Sequence, residues 1–291
     1  METRKSNFLS ENDKSTYWNT GFLFPLNIFP KSETARMRSR LENLEKKWIN
    51  NGLPLPLNTY KRVNSHLVCR LAYEIASNHK ILNKVEGILG PDILLWSVEF
   101  FIKEPMTKQI VGMHQDLTYW GMGEIDNLVT AWVALSPATK NSGCMSFVNG
   151  SHKNPILPHT DTQNKYNVLS RSQEVDVQVK DIDKTSIVLE TGQMSLHHGL
   201  MVHGSGPNSS SDRRIGVAIR YLNPKAKQLV AKRDYAMVVK GADRVGNFIN
   251  VSPPTRDFTA DSLAVYDEVR IAQAEALTAG ATSEVNLYGE V

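Results

Sequence analysis

Eight histidines are spread over the 291 residues, and the first question is which of them can meet a carboxylate around one ion. Two His-x-Asp triplets occur, His114-Gln115-Asp116 and His159-Thr160-Asp161. In an extended segment residues i and i+2 project from the same face, so either pair can offer an imidazole and a carboxylate to one cation. Their surroundings separate them. His114 ends the apolar run IVGM and precedes LTYWGMG, whereas His159 lies in the polar stretch 153–173, where a solvated loop is expected. His203 offers a third ligand, 87 residues beyond Asp116 and directly before Gly204-Ser205-Gly206. Eleven residues later Arg214 opens the strand-like run IGVAIRYL. There Arg214, Gly216 and Ala218 share one face, and Ile215, Val217 and Ile219 the other. A guanidinium on a face otherwise kept small leaves space for a carboxylate, which it can grip with two parallel hydrogen bonds. Viewed in isolation, Arg213-Arg214 also reads as a surface pair after a loop. His197 and His198 are adjacent on a strand-like run and point to opposite faces, so at most one can compete with His203. His152, in GSHK, is expected to brace its loop through hydrogen bonds.

These residues need a frame. Met37, Leu41, Leu44 and Trp48 recur at helical spacing behind Ser32, a candidate N-cap. A second helical stretch carries Leu67, Leu71 and Ile75, and a third starts at Asn78 and carries Leu82, Val85 and Leu89 before Gly90-Pro91. From residue 93 the pattern changes to short Val-, Ile-, Trp- and Phe-rich runs. They are Ile93–Lys103, Leu128–Leu135, Met145–Val148, Val175–Val179, Ser186–Leu189, Met194–His198 and Ile215–Leu222. A last helix is expected over Asp261–Leu277, and 232–248 reads as a basic turn region that could order over the site as a lid. The expected fold is mainly β with α, a sandwich or barrel carrying an N-terminal helical layer. One domain covers 1–291: a mostly helical layer to 92, a β core over 93–224 and a C-terminal loop and helix over 225–291.

Composition narrows the function classes. Hydrophobic residues at 41 % with a net charge of +3 exclude an intrinsically disordered chain, and no Lys/Arg block forms a stripe for nucleic acid. Cys69 and Cys144 form no CxxC pair, which removes zinc-ribbon and thioredoxin-type readings. The N-terminus has no apolar leader core, and no apolar run reaches membrane-spanning length. A cytoplasmic enzyme or binding protein without a membrane partner is expected; nothing in the sequence sets the oligomeric state.

Together, HQD at 114–116, TAWVALSPATKNSGCMSFVNGSHK at 130–153 and H-G-S-x(8)-R at 203–214 make the chain resemble the phytanoyl-CoA dioxygenase-like family of Fe(II)/2-oxoglutarate oxygenases. The resemblance spans roughly residues 20–250 and implies a double-stranded β-helix (jelly-roll, cupin-like) core. It implies that His114, Asp116 and His203 hold Fe(II). It further implies that Arg214 clamps the distal carboxylate of 2-oxoglutarate, with Ser205 adding a hydroxyl and Thr130 a weaker contact. Oxidative decarboxylation to succinate and CO2, with O2 as co-reactant, would hydroxylate a small molecule. Related halogenases lack the carboxylate; Asp116 is present, which favours hydroxylation.

For the substrate, Tyr119 and Trp120 follow HQD and could wall the entrance, and Trp132 could line the pocket, although an inward tryptophan also suits an ordinary core. Asn149, Lys103 and Lys108 have the chemistry to meet a polar or anionic substrate. The look of HQDLTYWG, SPATKNSGCM and KRDYAMVVKG resembles members that hydroxylate small aminophosphonates; a natural-product tailoring hydroxylase is the alternative. Two other classes stay open: a non-catalytic binding member, and a zinc hydrolase built on two histidines and an aspartate, which would need no arginine after its last ligand.

Overall fold

The computed structural model describes residues 7–161, 166–169, 173–175 and 183–278. The first elements are α1 (Glu11–Thr20), β1 (Phe22–Asn27), α2 (Lys31–Trp48), α3 (Leu57–Arg62), α4 (Arg70–Ala76) and α5 (His79–Leu89). Strands follow: β2 (Ile93–Lys103), β3 (Val111–His114), then the short helix α6 (Leu117–Trp120), β4 (Leu128–Ala134) and β5 (Met145–Val148). Next come β6 (His159–Asp161), β7 (Gln173–Val175), β8 (Lys184–Ile187), β9 (Gln193–His198) and β10 (His203–Ser205). The described chain ends with β11 (Arg214–Leu222), β12 (Tyr235–Lys240), β13 (Ile249–Asn250) and α7 (Ala260–Thr278).

The helical periodicities hold, with differences at their starts. Leu41 and Leu44 are buried on α2, but the helix begins at Lys31, because the Pro30 carbonyl already accepts from the N–H groups of Glu33 and Thr34. Ser32 is therefore inside the helix, not its cap. Asn78 does cap α5, accepting from the Lys80 N–H at 3.0 Å, and Gly90 leaves the helix at φ +83°. The stretch carrying Leu67, Leu71 and Ile75 is divided: Ser65–Leu67 forms a 3-10 turn, and Cys69 is extended before α4. Ahead of α2, the elements α1 and β1 were not among the expected ones, nor was the short helix α3 after it. Pro25 sits where the β1–β9 register shifts, at the edge of the sheet, the place where a missing N–H is tolerated.

Seven strands form the larger sheet, in the order β1-β9-β4-β11-β2-β12-β13, and four the smaller, β3-β10-β5-β8. This is the double-stranded β-helix, with the N-terminal helices on its outside. Alternation on the larger sheet sorts the side chains. Val98 and Phe100 of β2, Val129, Ala131 and Val133 of β4, and Ile215, Val217, Ile219 and Tyr221 of β11 join one buried cluster with residues of α2, α4, α5 and α7. Burying this face against helices is the main apolar contribution to the fold. The Tyr221 hydroxyl also donates to the Ala76 carbonyl at 2.6 Å, tying the sheet to α4. The opposite face looks toward the smaller sheet and holds the site.

Three strand expectations need correction. Residues 232–248 are not a turn region: Tyr235, Ala236 and Met237 are buried, and β12 pairs antiparallel with Ile93–Leu95 of β2. The run expected at Val175–Val179 has only its first residue in a described strand, β7; 176–179 lie outside the described residues. The run at Ser186–Leu189 stops as a strand at Ile187, and Leu189 instead bridges Ala138. The stretch 153–173 is also less detached than a solvated loop. The Tyr166 carbonyl accepts from the Ile110 N–H, and the Val168 N–H returns to Ile110, which ties the stretch to the start of β3.

Candidate metal centre and the cavity around it

His114 ends β3 and His203 opens β10, and the two strands pair antiparallel with these residues directly opposite each other. Cross-strand neighbours on one face lie within contact, and the imidazole centroids are 4.2 Å apart. Asp116 enters from the turn after β3. Its Oδ1 is 3.5 Å from His114 Nε2 and 4.0 Å from His203 Nε2. One ligand atom from each of the three lies within 4.8 Å of the others, and all three residues are buried. Among the described residues no other group of three or more His, Cys, Asp or Glu converges in this way.

The imidazoles are oriented for a cation. His114 Nδ1 lies 2.9 Å from the Gly112 carbonyl and His203 Nδ1 lies 2.8 Å from the Met201 carbonyl. A carbonyl only accepts, so each Nδ1 carries the proton and each Nε2 presents its lone pair to the shared space. Burial, reinforced by His114, pushes the His203 pKa well down, which keeps the ring neutral. At Asp116 burial works to raise the carboxyl pKa, but His114, His197, His203 and Arg220 outweigh it and hold the group well below the usual carboxylate range. Two imidazoles and one carboxylate on one side of an ion, with the other side open, is the donor set of a non-haem iron(II) site. The residues fit that metal.

A cavity of about 180 Å³ opens beside this trio, between the two sheets. At one end stands Arg214, 1 % exposed, with its guanidinium packed over the rings of Trp132 (5.3 Å) and Phe101 (5.6 Å). Its Nη1 donates to the Gly143 carbonyl at 2.9 Å, but Nε and Nη2 have no partner among the described residues. Burial lowers its pKa to about 10, still far above neutrality, so the charge persists. A buried guanidinium with two unmade hydrogen bonds calls for an anion. Arg214 is therefore no surface residue. The small face read at Gly216 and Ala218 needs correction in one respect. A Cβ at Gly216 would lie 1.8 Å from Trp132 Cζ2, so the space at that position belongs to the tryptophan ring. Trp132 accordingly sits at the Arg214 end.

Ser205 lines the cavity beside Arg214 and accepts a hydrogen bond from Lys103 Nζ at 2.8 Å. Lys103, paired with Arg214 across β2 and β11, also donates to the Ser205 and Gly206 carbonyls. Burial, with Arg214 nearby, pushes its pKa down to about 6. It is thus a support of the Ser205 turn, not a surface group waiting for substrate, and Lys108 is exposed on the β2–β3 connection. Thr130 meets Asp116: its hydroxyl donates to Oδ2 at 3.3 Å. Asn149 is exposed after β5 and does not line the cavity, so its expected substrate contact fails on position.

The other end is aromatic and charged. Tyr119 and Trp120, on α6, line it together with Trp96, whose ring centroid is 5.2 Å from that of Trp120. A register shift where Ser97 and Leu95 pair with Arg220 and Tyr221 lets both Trp96 and Ser97 reach the cavity. Beyond it Glu99 takes Arg62 Nε at 3.1 Å and Arg220 Nη1 at 2.9 Å. Sequence reasoning missed Glu99, Arg62 and Arg220, although Arg220 is the next residue on the face already read from Arg214 to Ala218. It also left His197 unplaced. His197 faces the cavity, 3.7 Å from Asp116 Oδ2 and outside the converging trio, while His198 faces away and meets Asp126 at 3.0 Å. His152 Nε2 reaches the Trp18 carbonyl at 3.1 Å, the bracing expected of it. His159 is not solvated either. Its Nδ1 meets the Leu157 carbonyl at 2.7 Å, and its Nε2 accepts from the Gln115 N–H at 3.3 Å. The Gln115 side chain binds Pro155, Leu157 and Leu200 backbone, locking the residue between two metal ligands.

Comparison with known proteins agrees with this geometry. The family description of phytanoyl-CoA dioxygenase (PhyH) matches residues 17–216. The peroxisomal phytanoyl-CoA dioxygenase of Bos taurus is 26 % identical over 239 residues, 75 % of this chain and 70 % of that protein. A probable alpha-ketoglutarate-dependent hypophosphite dioxygenase of Stutzerimonas stutzeri is 28 % identical over 191 residues, 62 % of this chain and 65 % of that one. The solved structure of the apo non-heme monooxygenase ThoJ superposes with a TM-score of 0.82 at 28 % identity, covering 91 % of this chain and 97 % of ThoJ. With its HQD turn, its distant third histidine and this fold, the chain belongs to the phytanoyl-CoA dioxygenase (PhyH) family and is an Fe(II)/2-oxoglutarate dioxygenase.

Proposed function

We propose that the protein hydroxylates a small organic molecule in the cavity beside His114, Asp116 and His203, releasing succinate and CO2. The observation that carries this reading is the pairing of that buried trio with buried Arg214, whose Nε and Nη2 lack partners among the described residues. Bound iron and 2-oxoglutarate supply the oxidising power: one O2 oxidises one 2-oxoglutarate to succinate and CO2 and delivers one oxygen atom to the substrate. The chain's part is orientation and exclusion of water. His114, Asp116 and His203 would hold the metal on one side, leaving positions open. Arg214 would bind the distal carboxylate through its free N–H groups, stiffened by the Trp132 and Phe101 rings. Ser205 would add its hydroxyl, directed away from the donating Lys103 amino group. Thr130, through its hydrogen bond to Asp116, would fix the carboxylate and not touch the cosubstrate. Asp116 fills the position that a halide would need, which supports hydroxylation.

Tyr119 and Trp120 would contact substrate. A small aminophosphonate is the proposed substrate; the similarity to a probable hypophosphite dioxygenase, an enzyme named for a phosphorus oxyanion, supports it. The likeness to the non-heme monooxygenase ThoJ supports oxygen transfer to a substrate; a tailoring hydroxylase of the same family acting on a natural product is the second reading. Residues 1–291 would act as one oxygenase unit in the cytoplasm, where the free, buried thiols of Cys69 and Cys144 would stay reduced; no described helix is long and apolar enough to cross a membrane. The test is anaerobic addition of Fe(II) and then 2-oxoglutarate to apo protein, followed by O2. A visible charge-transfer band, and succinate released in proportion to hydroxylated product, are expected. No band, or equal turnover of substrate without O2 as a zinc hydrolase would give, overturns the reading; a band without succinate for any substrate points to a binding member.

A further inference from the structure

We infer that Arg220, which shares Glu99 with Arg62, seats an acidic group of the substrate, so that the enzyme takes a small organic anion; this rests on the oxygenase reading above. Position is the first argument. Arg214 and Arg220 lie on the same face of β11, six residues apart, or about 20 Å at about 3.3 Å per residue. Arg220 pairs across the sheet with Thr130, whose hydroxyl holds Asp116. The metal trio therefore has one guanidinium toward each end of its cavity, and only the Arg214 end is needed for 2-oxoglutarate.

Charge is the second argument. Bound Fe(II) would bring two positive charges, matched by Asp116 and one carboxylate of 2-oxoglutarate. The distal carboxylate matches Arg214. What remains in the cavity wall is Arg62 and Arg220 against a single Glu99, two guanidinium groups to one carboxylate, while the Asp234 carboxylate lies behind the wall, taken up by Trp96, Gln228, Gln273 and the Tyr235 N–H. Lys103 does not alter the balance here, because its amino group lies at the other end, against Ser205 and Gly206. Hydrogen bonding is the third. Arg62 spends Nε on Glu99 and Nη2 on the Val168 carbonyl, whereas Arg220 gives only Nη1 to Glu99, and its buried Nε has no partner among the described residues. Its guanidinium also packs over the Trp120 ring at 5.5 Å, on the wall proposed for substrate. A carboxylate or a phosphonate supplies the missing charge and acceptors alike.

The experiment uses the anaerobic Fe(II)–2-oxoglutarate enzyme and three probes: methylphosphonate, butyrate and the uncharged butyramide. Calorimetric titration should show at least one anion binding about tenfold or more tightly than butyramide, and the tighter of the two identifies phosphonate or carboxylate as the acid. Arg220→Gln should cost that anion about tenfold or more, while the 2-oxoglutarate titration and its charge-transfer band stay as in the wild type. Glu99→Gln should do the opposite and tighten the anion, a sign that damage to the fold would not produce; if Arg220→Gln does not fold, this arm decides. Butyramide binding as well as the anions, no anion binding at all, or an Arg220→Gln defect in 2-oxoglutarate binding overturns the inference while leaving the oxygenase intact. A wild type that forms no band fails at the oxygenase reading itself and takes this inference with it.

Discussion

The two ends of the cavity are built by different means. At the Arg214 end every wall is a strand or a strand-strand turn of the β-helix: Phe101 on β2, Trp132 on β4, Ser205 on β10 and Arg214 on β11. At the Arg220 end the sheet supplies Glu99, Arg220 and Trp96, but the rest comes from outside it. Arg62 ends α3, Val168 and Leu169 belong to the stretch tied to β3, and Gln273 and Ala276 project from α7. Asp234 gathers this end, accepting from Trp96 Nε1 at 3.0 Å, Gln228 Nε2 at 3.1 Å and Gln273 Nε2 at 3.1 Å. A cross-strand ladder leaves little freedom, so the Arg214 end suits a cosubstrate common to the reaction class. Helix and loop attachments can change without disturbing the ladder, which suits selectivity.

Substitutions can break this division or sharpen it. The largest effect belongs to neither end: Asp116→Ala or His203→Ala should abolish turnover and the charge-transfer band together. Arg214→Met comes next. It removes charge-assisted hydrogen bonds worth about 1.5–3 kcal/mol each, so the 2-oxoglutarate dissociation constant should rise about a hundredfold with iron still bound. Loss of iron instead would refute the assignment of Arg214. Gly216→Ala drives a methyl into the Trp132 ring and should destabilise the fold by about 1–3 kcal/mol, read as a drop of several degrees in Tm.

Lys103 gives a pH signature. Its pKa falls from an ordinary 10.5 to about 6 in the folded protein. Between those values the unfolded chain holds one proton more than the folded one, so this group makes stability rise with pH across the window and contributes least below pH 6. Lys103→Met should flatten that part of the Tm-pH curve, and an unchanged slope would show that burial does not neutralise the amine. The smallest effect is expected for His159→Ala. It removes one acceptor from the Gln115 N–H, and turnover should change by less than about threefold, about 0.5 kcal/mol. A drop comparable to the ligand variants would make His159 part of the metal centre.

How far the site was readable followed from the range of the signal. His114 and Asp116 lie two residues apart, but Asp116 stands in the turn after β3 with helical backbone angles, not on an extended segment, and His203 joins them only because β10 pairs with β3; it was the family resemblance that named all three. Arg220 was open to strand alternation, since it continues the Arg214 face, but a partner for it could not be named: Glu99 and Arg62 are 121 and 158 residues away. Asn149 failed for the converse reason, a suitable side chain in a suitable motif that the turn after β5 directs to solvent. β12 was hidden because Arg233, Lys240 and Asp243 gave its surroundings a polar look, while only pairing with β2 buries Tyr235, Ala236 and Met237.

By itself the sequence carried the reaction class through its resemblance to a known family, because HQD, TAWVALSPATKNSGCMSFVNGSHK and H-G-S-x(8)-R are strings of neighbouring residues that can be recognised before the chain is folded. Only the tertiary structure decided that Trp132 fills the space above Gly216, that a register shift brings Trp96 and Ser97 to one cavity, and that α3 and β11 both deliver an arginine to Glu99. Those outcomes depend on strand register and on packing between segments distant in the chain, where a shift of one residue turns every side chain to the opposite face.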